Sequence, residues 1–117
     1  MNATMSSGQN ADNPANARPV AVKGLTVDPA RRHARVDGNE IELTSHEFDM
    51  LYLLASHPGI VFSREGLVKR VWGDDTFVTE RSVDTLIKRL RRKIETEPND
   101  PQLILTVWGT GYKFSDA

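Results

Sequence analysis

The sequence contains no cysteine. Disulfides and thiolate metal sites are therefore out of consideration, and a cytoplasmic location fits. No apolar run approaches the roughly 20 residues needed to span a bilayer. The N-terminus shows neither the basic segment nor the apolar stretch of a secretory signal. His33, His46 and His57 lie far apart with no ligand spacing, so no metal site is expected. A phosphate-cradling glycine loop is missing as well. Ser45-His46-Glu47 has the residue types of a hydrolytic triad. Side chains adjacent at a helix start point in different directions, however, and cannot relay a proton to one substrate. Catalysis and cofactors are not expected.

The 117 residues suit one domain. A net charge of −1 argues superficially against a nucleic-acid partner, but distribution matters more than the sum. Between Arg81 and Lys93 stand Arg81, Lys88, Arg89, Arg91, Arg92 and Lys93 against the single acid Asp84. That segment carries +5, and the remainder therefore carries −6. A solvated helix face would interleave acids with its bases. This one does not, which marks a surface directed at a polyanion.

Residues 1–19, rich in Asn, Ala, Ser, Gly and Pro, read as a disordered tail, linker or leader. The folded domain is expected over 20–117. Ala21–Val22, Leu25–Asp28, His33–Val36 and Glu40–Leu43 read as short strands of an antiparallel meander, with Asp37-Gly38 a hairpin signal. Thr44-Ser45-His46-Glu47 is a capping-box pattern. Phe48, Leu51, Tyr52, Leu54 and Ala55 follow at helical spacing, and Pro58-Gly59 ends that helix. Val61-Phe62 suits a short extended link. A second helix runs Arg64 to Trp72, capped by Ser63, with Leu67, Val68 and Val71 as its apolar face and Gly73 as its stop.

Thr79 stands at the cap of a third helix, Glu80 to Ile94. At 100° per residue, Val83, Ile87, Leu90 and Ile94 fall within about 60° of one another, with Leu86 on the flank. Opposite lie Arg81, Thr85, Lys88 and Arg92, with Arg89 and Arg91 to either side. Pro98 and Pro101 bar any continuation. Leu103–Val107 and Tyr112–Phe114 then form a hairpin around Trp108-Gly109-Thr110-Gly111, whose two glycines permit positive φ. Strands, three helices and a hairpin suit a helix lying in the major groove while the hairpin reaches an adjacent groove or the backbone.

The runs Thr44-Ser45-His46-Glu47-Phe48, Ser63-Arg64-Glu65-Gly66-Leu67, Val71-Trp72-Gly73, Arg81-Ser82-Val83-Asp84 and Lys88-Arg89-Leu90-Arg91-Arg92-Lys93-Ile94 occur in order. They finish in Thr106-Val107-Trp108-Gly109-Thr110-Gly111-Tyr112-Lys113-Phe114. Together they resemble the DNA-binding effector domain of OmpR/PhoB-type bacterial response regulators, over about Val20 to Phe114. The resemblance implies an α+β winged helix-turn-helix: an N-terminal four-stranded antiparallel sheet, three helices and a C-terminal β-hairpin wing.

It also implies transcriptional control through double-stranded promoter DNA at tandem half-sites. Carried over by position, Arg81, Lys88, Arg89 and Arg91 resemble the polar contacts of the recognition helix, and Thr85 and Leu86 apolar ones. Arg92 is added from the helical wheel. Trp72 stands where the family touches the phosphate backbone. The loop holding Asp74, Asp75, Thr76 and Phe77 resembles one that in some members contacts RNA polymerase. Wing contacts fall to Thr106, Trp108, Thr110, Tyr112 and Lys113.

One departure matters: Trp108 stands where well-studied members often place an arginine for the minor groove. More of the specificity is then expected of the helix. A receiver domain answering to a sensor kinase would precede the linker in a complete regulator, and the isolated domain is expected to be monomeric off DNA. A protein-interaction module on the same scaffold is the competing expectation. The unbroken basic stripe argues against it. Asp84 is expected to orient neighbouring side chains, and Trp72 and Tyr112 are also readable as packing residues.

Overall fold

Two tight reversals, each with both central residues at positive φ, build the first part of the structure. In this computed structural model, which describes residues 18–75 and 77–116, they are Lys23-Gly24 (φ 47° and 84°) and Asp37-Gly38 (φ 51° and 86°). Such turns match the right-handed twist of the strands they join, and glycine occupies the second position at no steric cost. They connect β1 (Val20–Val22) to β2 (Leu25–Asp28), and β3 (His33–Val36) to β4 (Asn39–Ile41). The sheet is antiparallel in the order β1-β2-β3-β4. Period-2 burial follows along β2, with Leu25 and Val27 buried and Thr26 exposed. Of the expected tail, only Arg18 and Pro19 fall among the described residues.

The described residues divide into two compact units, the sheet up to Glu42 and a second beginning at Leu43. The second unit starts with α1 (Ser45–Ala55), and its capping box forms as expected. The Glu47 N–H donates to Thr44 Oγ1 (3.2 Å), and the Thr44 N–H donates back to Glu47 Oε1 (2.9 Å). Buried Glu47, Phe48, Met50, Leu51, Leu54 and Ala55 span an arc about 160° wide at 100° per residue. Tyr52, expected on the apolar face, lies beyond its edge and stacks on Phe48 at 6.0 Å. Met50 is the buried residue that the stripe omitted.

Ser63 caps α2 (Arg64–Trp72) by accepting from the Gly66 N–H at 2.9 Å, and Gly73 ends it at φ 69°. Of the three apolar residues expected to face inward on α2, only Leu67 is fully buried. Thr79 stands at the N-cap of α3 (Glu80–Ile94), but its side chain makes no capping bond; its carbonyl accepts from the Ser82 N–H instead.

The segment expected as a link is a strand. β5 (Phe62–Ser63) pairs with β7 (Gly111–Phe114), which also pairs with β6 (Ile104–Val107), so the hairpin is part of a three-stranded sheet ordered β5-β7-β6. This changes the meaning of one wing glycine. Gly109 takes positive φ (82°) in the turn closed by the Thr110 N–H on the Val107 carbonyl. Gly111 does not. A Cβ there would sit 2.0 Å from the Phe62 carbonyl oxygen, so glycine is required by the close approach of β5.

Candidate nucleic-acid interface

The geometry of α3 follows from its seating. Val83, Leu86, Ile87, Leu90 and Ile94 are all buried, at 5% exposure or less. Leu86 belongs to this core at 5% exposure, with its edge also on a groove that runs along α3. Arg81, Thr85, Lys88, Arg89 and Arg92 are exposed on the other side.

The remaining two cations of the helix are engaged within the protein. Lys93 Nζ donates to Glu47 Oε1 at 2.6 Å, tying the end of α3 to the first turn of α1. Burial of Glu47 works to raise its pKa, but the Lys93 bond, the Thr44 N–H and the charges of Lys93 and Arg89 outweigh it, holding the carboxyl below its ordinary value. Arg91 is half-buried. It donates to the Ile104 carbonyl from Nη2 (2.8 Å) and Nε (3.1 Å), and to Thr106 Oγ1 (2.8 Å). Its guanidinium also lies 5.6 Å from the centre of the Tyr112 ring. Burial pushes the Arg91 pKa below the usual arginine value. Arg91 and Thr106, both expected at the nucleic-acid surface, thus satisfy each other across the base of the wing.

Wing residues divide along the same line. Trp108 is 88% exposed at the tip, with Gly109 and Thr110 exposed beside it and Lys113 intermediate. Tyr112 is buried, and its hydroxyl donates to Asp84 Oδ1 at 2.7 Å. Asp84 therefore orients neighbours as expected: it also accepts from Arg64 Nε at 3.1 Å.

Around the first half of α3 runs a groove of about 540 Å³ whose walls include His46, Trp72, Arg81, Thr85 and Arg89. Trp72 is half-buried there, its ring 5.2 Å from that of His46. The groove is open and mixed in polarity, with two guanidinium-bearing side chains on its α3 wall. That chemistry suits a phosphate chain better than an apolar ligand. In the preceding loop Asp74 and Asp75 are exposed, and Phe77 is 94% exposed with its N–H on Asp75 Oδ1. Thr76 lies outside the described residues. Groups of three or more His, Cys, Asp or Glu able to hold a metal are absent among the described residues.

Two residues with structural roles here give little sign of them in the sequence. Glu95, buried at the C-cap of α3, accepts from the Gln102, Leu103 and Ile104 N–H groups at 2.8–3.1 Å and so shapes the passage from helix to wing. An acid at a helix C-terminus opposes the helix dipole. That local conflict is the available signal that something else holds it. Arg64 reads in sequence as the first residue of α2 within one of the family runs, with no sign of a partner, yet it bonds Asp84 and stands 3.4 Å from Glu80.

A three-helix unit carrying a basic third helix beside a β-hairpin is a winged helix. Residues 38–114 match the family described as transcriptional regulatory protein, C terminal, and the chain belongs to it, in its OmpR/PhoB-type branch. It is 44% identical over 91 residues to the transcriptional regulatory protein ResD of Bacillus subtilis, covering 77% of this chain and 38% of that protein. The response regulator DrrB of Thermotoga maritima, an OmpR/PhoB homolog, superposes with a TM-score of 0.81 at 34% identity, over 96% of this chain and 51% of that one. The RstA DNA-binding domain of Klebsiella pneumoniae, solved in complex with the RstA box, gives 0.75 at 35% identity, over 85% of this chain and 98% of that one. The chain spans about two fifths of the length of the curated relatives it matches (40% and 38%).

Proposed function

We propose that this chain is the effector domain of a response regulator and binds double-stranded promoter DNA, with α3 in the major groove and the wing on the adjacent groove or backbone. The observation that carries the reading is the exposed set Arg81, Thr85, Lys88, Arg89 and Arg92, opposite a fully buried stripe on the same helix. Arginine offers paired donors to guanine, both cations neutralise phosphates, and the threonine methyl can meet that of thymine. Trp72, Thr110 and Lys113 border the same surface as backbone contacts, and Arg91, Thr106 and Tyr112 support it from beneath.

The folded domain begins near residue 20, and single copies occupy tandem half-sites head to tail. In the intact protein a receiver domain answers to a sensor kinase. The loop with Asp74, Asp75, Thr76 and Phe77 meets RNA polymerase, its exposed phenyl ring flanked by acids being suited to a protein surface. The setting is the bacterial cytoplasm; among the described residues no helix is long and apolar enough to cross a membrane. A gel shift with promoter and random duplexes tests the central claim. Binding to both at low salt, with preference for promoter DNA emerging as salt rises, is the expected result. No shift at low salt would remove the reading.

A further inference from the structure

Between α3 and the wing lies a polar cluster that DNA binding by the exposed stripe does not need. Asp84 and Arg91 stand seven residues apart, two helical turns, and so occupy the same side of α3. Each holds one strand of the wing. Asp84 accepts the Tyr112 hydroxyl from β7, and Arg91 donates to the Ile104 carbonyl and Thr106 hydroxyl of β6. Arg64, at the start of α2, braces Asp84 from the other side and reaches Glu80 one turn earlier. Partial burial of Asp84 works to raise its pKa, but the Tyr112 and Arg64 bonds and nearby positive charge bring it below the ordinary value. Burial, then the Asp84 bond, pushes Tyr112 up to about 12. The proton therefore stays on the phenol and the charge on the carboxylate, the arrangement in which both hydrogen bonds are made.

We infer that Asp84 and Arg91 act as positioning residues, a two-point clamp that fixes the wing to the recognition helix. The clamp decides which base pairs beside the α3 site meet Trp108. Pairing with β5 and the Glu95 bonds hold the sheet end of the hairpin; Asp84 and Arg91, about 10 Å apart along the helix at 1.5 Å rise per residue, add the two side-chain attachments that fix its angle to α3. The exposed Trp108 lies at the far end of this lever, where a small pivot becomes the largest displacement. The inference rests on the DNA-binding reading above.

Its test uses the full chain, Tyr112→Phe, which loses one hydroxyl and keeps the ring, and Asp84→Asn, which keeps an acceptor for the tyrosine but loses the charge facing Arg64. Binding sites are selected from random duplexes and sequenced. Base preference under α3 should survive in both variants. Preference at the flanking positions under the wing should flatten by roughly three- to tenfold in Tyr112→Phe, the scale of one hydrogen bond, and by less in Asp84→Asn. Lower thermal stability with both parts of the preference intact, or uniform weakening at every position, would overturn the clamp.

Hydrogen exchange without DNA separates this inference from its parent. Amides of 104–114 should exchange faster in Tyr112→Phe while those of Leu51, Leu54 and Leu67 hold. Unchanged wing exchange overturns the clamp even if the chain binds DNA. A wild-type chain that shifts no duplex fails the parent reading instead, whatever the exchange shows.

Discussion

The recognition helix and the wing present opposite chemistries from adjoining surfaces. Exposed α3 carries Arg81, Lys88, Arg89 and Arg92, whereas the exposed wing tip is Trp108-Gly109-Thr110, with Lys113 the one cation of β7. Charge acts over roughly 8–10 Å at ordinary salt, while an indole acts only on contact. The helix should thus govern approach and salt dependence, and the wing tip should add fit once the complex has formed. The two also differ inside. Helix α3 is held by apolar burial along its whole length; the wing buries Ile104, Tyr112 and Phe114 and adds polar bonds to α3 through Asp84, Arg91 and Glu95.

Removing charge from α3 should have the largest effect. Replacing Arg81 and Arg89 together with alanine should cost about 2–4 kcal/mol in binding to the preferred site and lower the slope of log K against log salt by roughly 1 for each phosphate no longer neutralised. Titrations over a series of salt concentrations measure both. An unaltered slope would move charge readout off this helix.

Next in size is the seating of the helix. Glu47→Ala removes an acceptor shared by Lys93 and the Thr44 N–H, and should destabilise folding by about 2 kcal/mol in urea denaturation. Arg91→Ala should cost a similar amount, about 1–2 kcal/mol, through the Ile104 carbonyl and Thr106. It should also flatten base preference at the flanking positions under the wing while preference under α3 survives. Loss of preference under α3 itself would return Arg91 to base contact.

A smaller effect is expected at the wing tip. Trp108→Ala should lower affinity by about 1 kcal/mol with the salt slope unchanged, while Trp108→Arg should raise that slope by roughly 1. Should Trp108→Ala change the slope, the indole would be working beside a phosphate rather than as an apolar surface.

The mildest expectation concerns pH. Glu47 and Asp84 lie below their ordinary values of 4.5 and 3.8 in the folded chain. Their contribution is therefore full above those values and is lost as pH falls through the depressed ones. Tyr112 is shifted the other way, so its contribution is full below 10.0 and fades as pH climbs to about 12. Denaturation midpoints across pH should decline at both ends. Asp84→Asn should flatten the acid side, and Tyr112→Phe the alkaline side.

Much of the architecture is legible in the sequence because it is written in local terms. Helix spans, the capping box, the Ser63 cap and the Asp-Gly reversal depend on residues within a turn of one another, and so does the opposition of buried and basic stripes on α3. The family resemblance rests on the same short runs in register. What stays hidden is non-local. Pairing of β5 with β7 joins Phe62 to Tyr112, and the need for Gly111 becomes visible only when the Phe62 carbonyl lies against it.

The sequence by itself determined that α3 has a core face and a cationic face, because periodicity and charge are properties of the chain. Only the tertiary structure decided what the cations at the edge of the core face hold. At 100° per residue Arg91 and Lys93 lie about 70–90° from the centre of the apolar stripe, nearer to it than Lys88, Arg89 and Arg92, but that spacing names no partner for them. Their partners are the Ile104 carbonyl, Thr106 and Glu47, 13, 15 and 46 residues away. A side chain's use is set by what folding brings within hydrogen-bond distance, and for those two residues folding brings the protein itself.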